Sequence, residues 1–163
     1  MDPSSWLYLA LCCVLILFSA YFSSVESALS SMNKLRVKGY ADDGDKRAKR
    51  ALRLEENYDR TITAILIGNN IVNILLSSIG TVLFVKIYGN LGATISTVVV
   101  TIVVLIFGEI TPKSIAKDFP EKFAVFSAPL INFFIIIFTP LNFIFTQWKK
   151  FISKFLFQNE LKF

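Results

Sequence analysis

Histidine is absent from the chain. That removes imidazole acid–base catalysis and every His-ligated metal site. Cysteine is nearly absent: Cys12 and Cys13 stand side by side in an apolar run. Neighbours on a helix point about 100° apart, so the two do not bridge each other, and their spacing matches no zinc or redox motif. Both read as packing residues that face lipid or the core. Apart from Ser and Glu near the membrane face, no nucleophile–base pair is recognisable, and the chain does not read as an enzyme. Charge is missing from long stretches, while 54% of the 163 residues are hydrophobic, 16 of them Phe. A soluble domain of this size has too little interior for so many apolar side chains, so lipid is the expected solvent.

Three nearly charge-free segments, 5–28, 61–85 and 93–111, are each long enough to span a bilayer. No basic stretch precedes the first, which reads as a retained helix and not as a signal peptide. Residues 30–60 are of another kind, with nine basic and six acidic residues. Apolar residues recur there at Leu35, Ala48, Leu52 and Leu54, and the pattern predicts two short helices outside the hydrocarbon. Residues 86–92 read as a tight turn. The 119–150 segment carries Pro129 and Pro140, which break a straight helix. The expected fold class is an all-α integral membrane domain: three transmembrane helices, a cytoplasmic helical hairpin, and a juxtamembrane or re-entrant helix over 119–150.

Basic residues orient the spans. Nine lie in 30–60, one in 86–92, three in 113–122, and four follow Trp148: Lys149, Lys150, Lys154 and Lys162. Short basic loops stay cytoplasmic. The N-terminus is then outside and the C-terminus cytoplasmic, in a multi-pass protein of the plasma (cell inner) membrane. If the apolar stretch 123–148 within it crossed fully, Lys149, Lys150, Lys154 and Lys162 would lie on the wrong side. The modest net charge of +5 is explained by topology, and no nucleic-acid partner is expected.

Against this background, "LIGNNIVNI" at 66–74 is unusual, because Asn69, Asn70 and Asn73 place three carboxamides where hydrocarbon should surround them. Asn69 and Asn73 are four apart and share a helix face; Asn70 and Asn73 nearly do. Hydrogen bonding between helices accounts well for one such residue. Three so close together ask for a polar partner or a cavity. The first span ends in "FSAYFSSVESALSS", where Ser19, Ser23, Ser27 and Ser30 form a hydroxyl stripe beside Glu26. The third ends in "FGEITPK", where Glu109 closes a run without charge. Pro112 has no N–H and leaves the carbonyl of Gly108 without its helical partner. Hydroxyls, amide oxygens, carboxylates and a freed carbonyl are all hard donors. They select Mg²⁺, Ca²⁺, Mn²⁺ or Na⁺ over zinc or copper.

Three motifs, "FSSVESAL", "IGNNIVNI" and "FGEITPK", follow one another over residues 15–118. In order and spacing they resemble the transmembrane domain of the CorC/cyclin M family of magnesium transporters. The resemblance implies a homodimer with three spans per protomer. It also implies a Mg²⁺ site, in many members proposed to serve Mg²⁺ export coupled to Na⁺ entry. Carried over motif by motif, the ligands come from Ser23 or its neighbour Ser24, Asn69 or Asn70, Asn73, Glu109 and the carbonyl of Gly108. Glu26, Ser27 and Pro112 line the same cavity. Family members usually continue into a pair of cytoplasmic CBS domains, which the 163 residues do not reach. The chain is therefore expected to be a piece of a longer protein. The same residues suit a membrane Mg²⁺ sensor or scaffold that moves no ion.

The topology is open to chemical labelling. In a background lacking Cys12 and Cys13, a cysteine at Asn90 should react with an impermeant reagent from outside. Cysteines at Lys46 and Lys154 should be protected. Labelling of the Lys154 variant from outside would mean that 119–150 crosses the membrane.

Overall fold

Pro3 opens the first helix, α1 (Pro3–Ser31), at a position where its missing N–H is not needed. The computed structural model describes residues 2–158, and helices are the only regular elements among them. Lys162, one of the basic residues weighed above, lies outside the described residues. At 29 residues, α1 is about 44 Å long and exceeds the roughly 30 Å hydrocarbon layer.

Two short helices occupy the basic segment. Asn33 caps α2 (Lys34–Asp42) by accepting from the Leu35 N–H at 2.9 Å. Asp45 caps α3 (Lys46–Glu56) by accepting from the Arg47 N–H at 2.9 Å. Each side chain satisfies a donor that the first helical turn leaves free. Between them Gly44 takes φ +99°, a conformation that suits glycine. Val37 and Ala41 of α2 join Ala48, Ala51 and Leu54 of α3 in the buried core. The Thr61 hydroxyl donates to the Leu54 carbonyl at 2.8 Å and ties the hairpin to the next helix.

That helix, α4 (Tyr58–Tyr88), runs to the end of the second apolar segment, and the chain reverses over Gly89–Leu91. The return pass is α5 (Gly92–Val103), a π-helical stretch (Val104–Ile110) and α6 (Thr111–Asp118). It lies antiparallel to α4, with Gly80 against Val100 and Gly92 against the backbone of Phe84 and Val85. Together the two passes make a helical run of 61 residues. The periodicity of the third span gave no hint of its π stretch.

Past Phe119, the 119–150 segment holds two helices, α7 (Pro120–Ile137) and α8 (Thr139–Phe157). The helix continues through Pro129, against expectation, and the break falls before Pro140. A proline inside a helix can be carried when neighbouring helices hold the chain, and Ser127, Ala128 and Ile131 around it are buried. Pro140 instead occupies the first turn of α8, where it fits.

By length and composition, three runs are apolar enough to cross a membrane: Pro3–Ser31, the doubled-back Tyr58–Asp118, and Pro120–Ile137. The contacts of the last distinguish it from the others. At its start Glu121 accepts from the Asn33 N–H at 3.2 Å, beside the end of α1. Just past its end Thr139 accepts from Arg60 at 3.4 Å, in the first turn of α4. Tyr21 donates to the Ser127 carbonyl at 3.1 Å, and Phe134 meets Phe22 edge-on. Both ends of α7 thus lie at the end of the bundle where α1 finishes and α4 begins.

Two glycines test this packing in opposite directions. A Cβ at Gly68 would lie 2.7 Å from the buried Phe22 ring, so Gly68→Ala should lose about 1–3 kcal/mol by overpacking. Gly39 is exposed within α2 with nothing within 4 Å, so Gly39→Ala should gain about 0.5–1 kcal/mol. Melting temperatures in one detergent should rank Gly39→Ala above the parent and Gly68→Ala below it.

Candidate ion site

Serines at 19, 23 and 27 recur every four residues, so one face of α1 carries a column of hydroxyls. All three are buried. Ser19 stands about 18 Å from the end of α1 at Ser31, and Asn69 about 17 Å from the start of α4 at Tyr58. The two therefore meet at one depth. The Ser19 hydroxyl lies 2.8 Å from Asn73 Oδ1 and 3.3 Å from Asn69 Oδ1. It has one proton to donate, so only one amide oxygen is served at a time, and the shorter contact favours Asn73. The other oxygen keeps its lone pairs turned into the cluster.

The third wall is the π stretch. A Cβ at Gly108 would lie 2.9 Å from Ser19 Oγ, so only glycine lets this turn approach the hydroxyl column. The register also changes which carbonyls are free. The Thr111 N–H donates to the Ile106 carbonyl, five residues back. Pro112, next in line, has no N–H to offer Phe107 at five residues or Gly108 at four. Neither carbonyl receives a bond from that position. Single π turns of this kind occur often at functional sites.

One turn below Ser19, the Ser23 hydroxyl is buried without any hydrogen-bond partner among the described residues. A buried hydroxyl left alone costs about 1–3 kcal/mol, so this position is open to a further partner. Ser24 is weakly engaged, donating to the Pro112 carbonyl at 3.4 Å.

The two carboxylates stand differently. Glu26 pairs with Lys113 at 3.7 Å. Glu109 is half-buried next to Gly108, and neither an ion pair nor a hydrogen bond engages it among the described residues. No group of three or more His, Cys, Asp or Glu gathers among the described residues. Any cation held here would rest on neutral oxygens plus a single free carboxylate.

The structure thus brings Asn69, Asn73 and Gly108 onto Ser19, with Ser23 one turn away, Glu109 adjacent in the chain, and Ser27 and Pro112 buried nearby. Asn70 does not join them. It is exposed on the outer side of α4, because a step of one residue turns it away from the face that Asn69 and Asn73 share. Ser19 is the central residue that motif reasoning left out of the ligand set. Its signal was its place in the four-residue serine repeat.

Comparison with known proteins bears on what such a bundle is. A model of the cyclin M transmembrane N-terminal domain matches residues 10–161. The UPF0053 inner membrane protein YfjD of Escherichia coli is 44% identical over 123 residues, covering 76% of this chain and 29% of its own length. A UPF0053 protein of Haemophilus influenzae is 42% identical over 139 residues, covering 85% of this chain and 33% of its own. A polyamine export protein of Haemophilus influenzae is 33% identical over 140 residues, covering 78% of this chain and 32% of its own. The chain spans about a third of the length of these relatives. The apolar helices and the inner-membrane relative make this a multi-pass membrane protein. With the family model covering nearly all of it, the chain belongs to the cyclin M transmembrane N-terminal domain family.

Proposed function

We propose that the chain is the membrane part of a Mg²⁺ transporter, with the ion bound between α1, α4 and the π stretch. The observation that carries this reading is the buried, unpartnered Ser23 hydroxyl beside the Ser19–Asn69–Asn73 oxygens. Mg²⁺ demands a near-octahedral set of oxygens and sheds water reluctantly. Amides and hydroxyls alone compensate that loss poorly, and Glu109 supplies the negative charge. A bare carboxylate beside a long apolar span carries a desolvation penalty of several kcal/mol. Pairing with the cation removes it. Glu26, already paired with Lys113, is the weaker candidate for the same role.

Export coupled to Na⁺ entry is the direction the family resemblance favours. Arg60, Lys113, Lys117 and the basic hairpin all lie toward the end where α1 finishes. That common end supports a cytoplasmic placement for the hairpin and for the juxtamembrane α7, with the N-terminus outside. A homodimer is favoured by Asn70, since an amide facing out of α4 at membrane depth needs a partner that lipid does not offer.

A second reading, polyamine transport, is prompted by the 33% identical relative of that name. A polyamine carries several separated ammonium charges and calls for several carboxylates. The described cluster offers one free carboxylate among compact neutral oxygens, which suits a single small ion better. A third reading, a Mg²⁺ sensor that moves nothing, shares the site and differs only in flux.

Glu109→Gln keeps the shape and an oxygen while deleting the charge. Thermal melts of the parent should rise with Mg²⁺, by about 2.7 kcal/mol of stabilisation when the ion is about 100 times its Kd. Glu109→Gln should fold and lose most of that response, whereas Asn57→Ala, at the hairpin, should keep it. Spermidine should raise the parent's melting temperature little. A Glu109→Gln protein stabilised by Mg²⁺ as strongly as the parent would remove this residue from the site and shift attention to Glu26.

A further inference from the structure

A second polar feature lies away from the ion site, at the end of the bundle where α3, the first turn of α4 and α7 meet. A hollow of about 180 Å³ opens there, lined by Arg50, Arg53, Asn57, Arg60 and Asn132 above the side chain of Ile135. Three arginines line it, and among the described residues no Asp or Glu does. Asp59 sits in the same helical turn but does not line it. None of the three arginines forms an ion pair among the described residues. Arg60 makes one long bond, to Thr139 at 3.4 Å, and keeps most of its donors. Three like charges brought together repel one another unless an anion joins them.

The backbone adds to the demand. Asn57 is the N-cap residue of α4 but caps nothing with its side chain. Its amide instead donates to the Arg53 carbonyl at 3.1 Å. The first N–H groups of a 31-residue helix therefore lie uncapped beside the arginines, and the positive end of the helix dipole adds to their field. Donors in this geometry suit a tetrahedral oxyanion, and arginine forks match phosphate oxygens in pairs.

We propose that this hollow binds the headgroup phosphate of an anionic phospholipid. The depth argues for a lipid over a soluble phosphate. Thr61 lines the hollow and is the first residue of the apolar 61–85 segment, so the hollow opens at the edge of the hydrocarbon. Phe133 and Ile136, on α7 beside Asn132 and Ile135, are 55% and 64% exposed and offer a surface for acyl chains. The helix that leaves from Thr139 repeats the pattern. Within α8, Trp148, Phe151 and Phe155 share one exposed face, and every charged residue is a lysine: Lys149, Lys150 and Lys154. A helix of that composition lies on an anionic surface. The lipid would join α3, α4 and α7 from the membrane side.

The test uses the purified chain in a non-ionic detergent, with phosphatidylglycerol, phosphatidylcholine or inorganic phosphate added. Three variants accompany the parent. One replaces Arg50, Arg53 and Arg60 by Gln. One replaces the same three by Lys. One replaces Arg36, Arg47 and Lys49 by Gln and loses the same charge elsewhere on the hairpin. Phosphatidylglycerol should raise the melting temperature of the parent and of the Arg36/Arg47/Lys49 variant by several degrees. The Arg50/Arg53/Arg60→Gln protein should not respond, and the Lys version should recover part of the shift. Phosphatidylcholine and millimolar phosphate should do little. An undiminished response in the Arg50/Arg53/Arg60→Gln protein would overturn the proposal, as would equal stabilisation by phosphatidylcholine. Stabilisation by inorganic phosphate without any from the lipid would overturn the lipid assignment.

Discussion

Ser19 has one proton, and two amide oxygens compete for it at a depth where lipid offers no replacement. The neighbouring elements gather on that hydroxyl. Asn69 and Asn73 hold α4 to α1 through this hydroxyl, and Gly108 lets the π stretch close in because a Cβ would collide with it. One turn on, the Ser23 hydroxyl has no hydrogen-bond partner among the described residues. A purely structural cluster would satisfy its members, since unmet polar groups in hydrocarbon are expensive. Inward-facing amide and hydroxyl oxygens beside an unpartnered hydroxyl are the kind of surroundings in which a small cation would be held.

The rest of the fold keeps these three elements in register. The hairpin is tied to α4 through Thr61 and Leu54, and α7 reaches from Asn33 at the end of α1 to Arg60 at the start of α4. Phe22, within the serine column, packs on Phe134 of α7 and against Gly68 beside the asparagines. The hairpin end is thus joined by continuous packing to the candidate ion site. The hydrogen bonds of the π stretch follow a rarer register than the helices on either side, and its neighbour Pro112 closes none.

Much of the cluster was legible from the solvent mismatch alone. Asparagines inside an apolar run and a glutamate at the end of another are conspicuous in one dimension, and a step of four residues puts Asn69 with Asn73. Proline chemistry pointed to a freed carbonyl near Gly108. Three things were not legible. Whether Asn69 or Asn70 faces inward depends on how α4 is rotated against α1, which only packing decides. The π register at 104–110 shifts the free carbonyls by one residue and leaves no mark on the hydrophobic pattern. Pro129 signals a break in isolation, yet the helix passes through it where buried neighbours hold the chain, and the chain breaks before Pro140 instead. The Glu26–Lys113 pair also needed three dimensions, since 87 positions separate its members.

The central claim is that the unmet oxygens of α1 and α4 carry Mg²⁺ across the membrane. Its most direct test is Mg²⁺ flux in proteoliposomes, with and without a Na⁺ gradient, for the parent and for Ser23→Ala. Ser23→Ala removes the unpartnered hydroxyl and little else. The parent should move Mg²⁺ above the rate of empty vesicles, faster with the Na⁺ gradient, and Ser23→Ala should be slower by about tenfold or more. Equal rates in the two proteins, or a parent no faster than empty vesicles, would contradict the account.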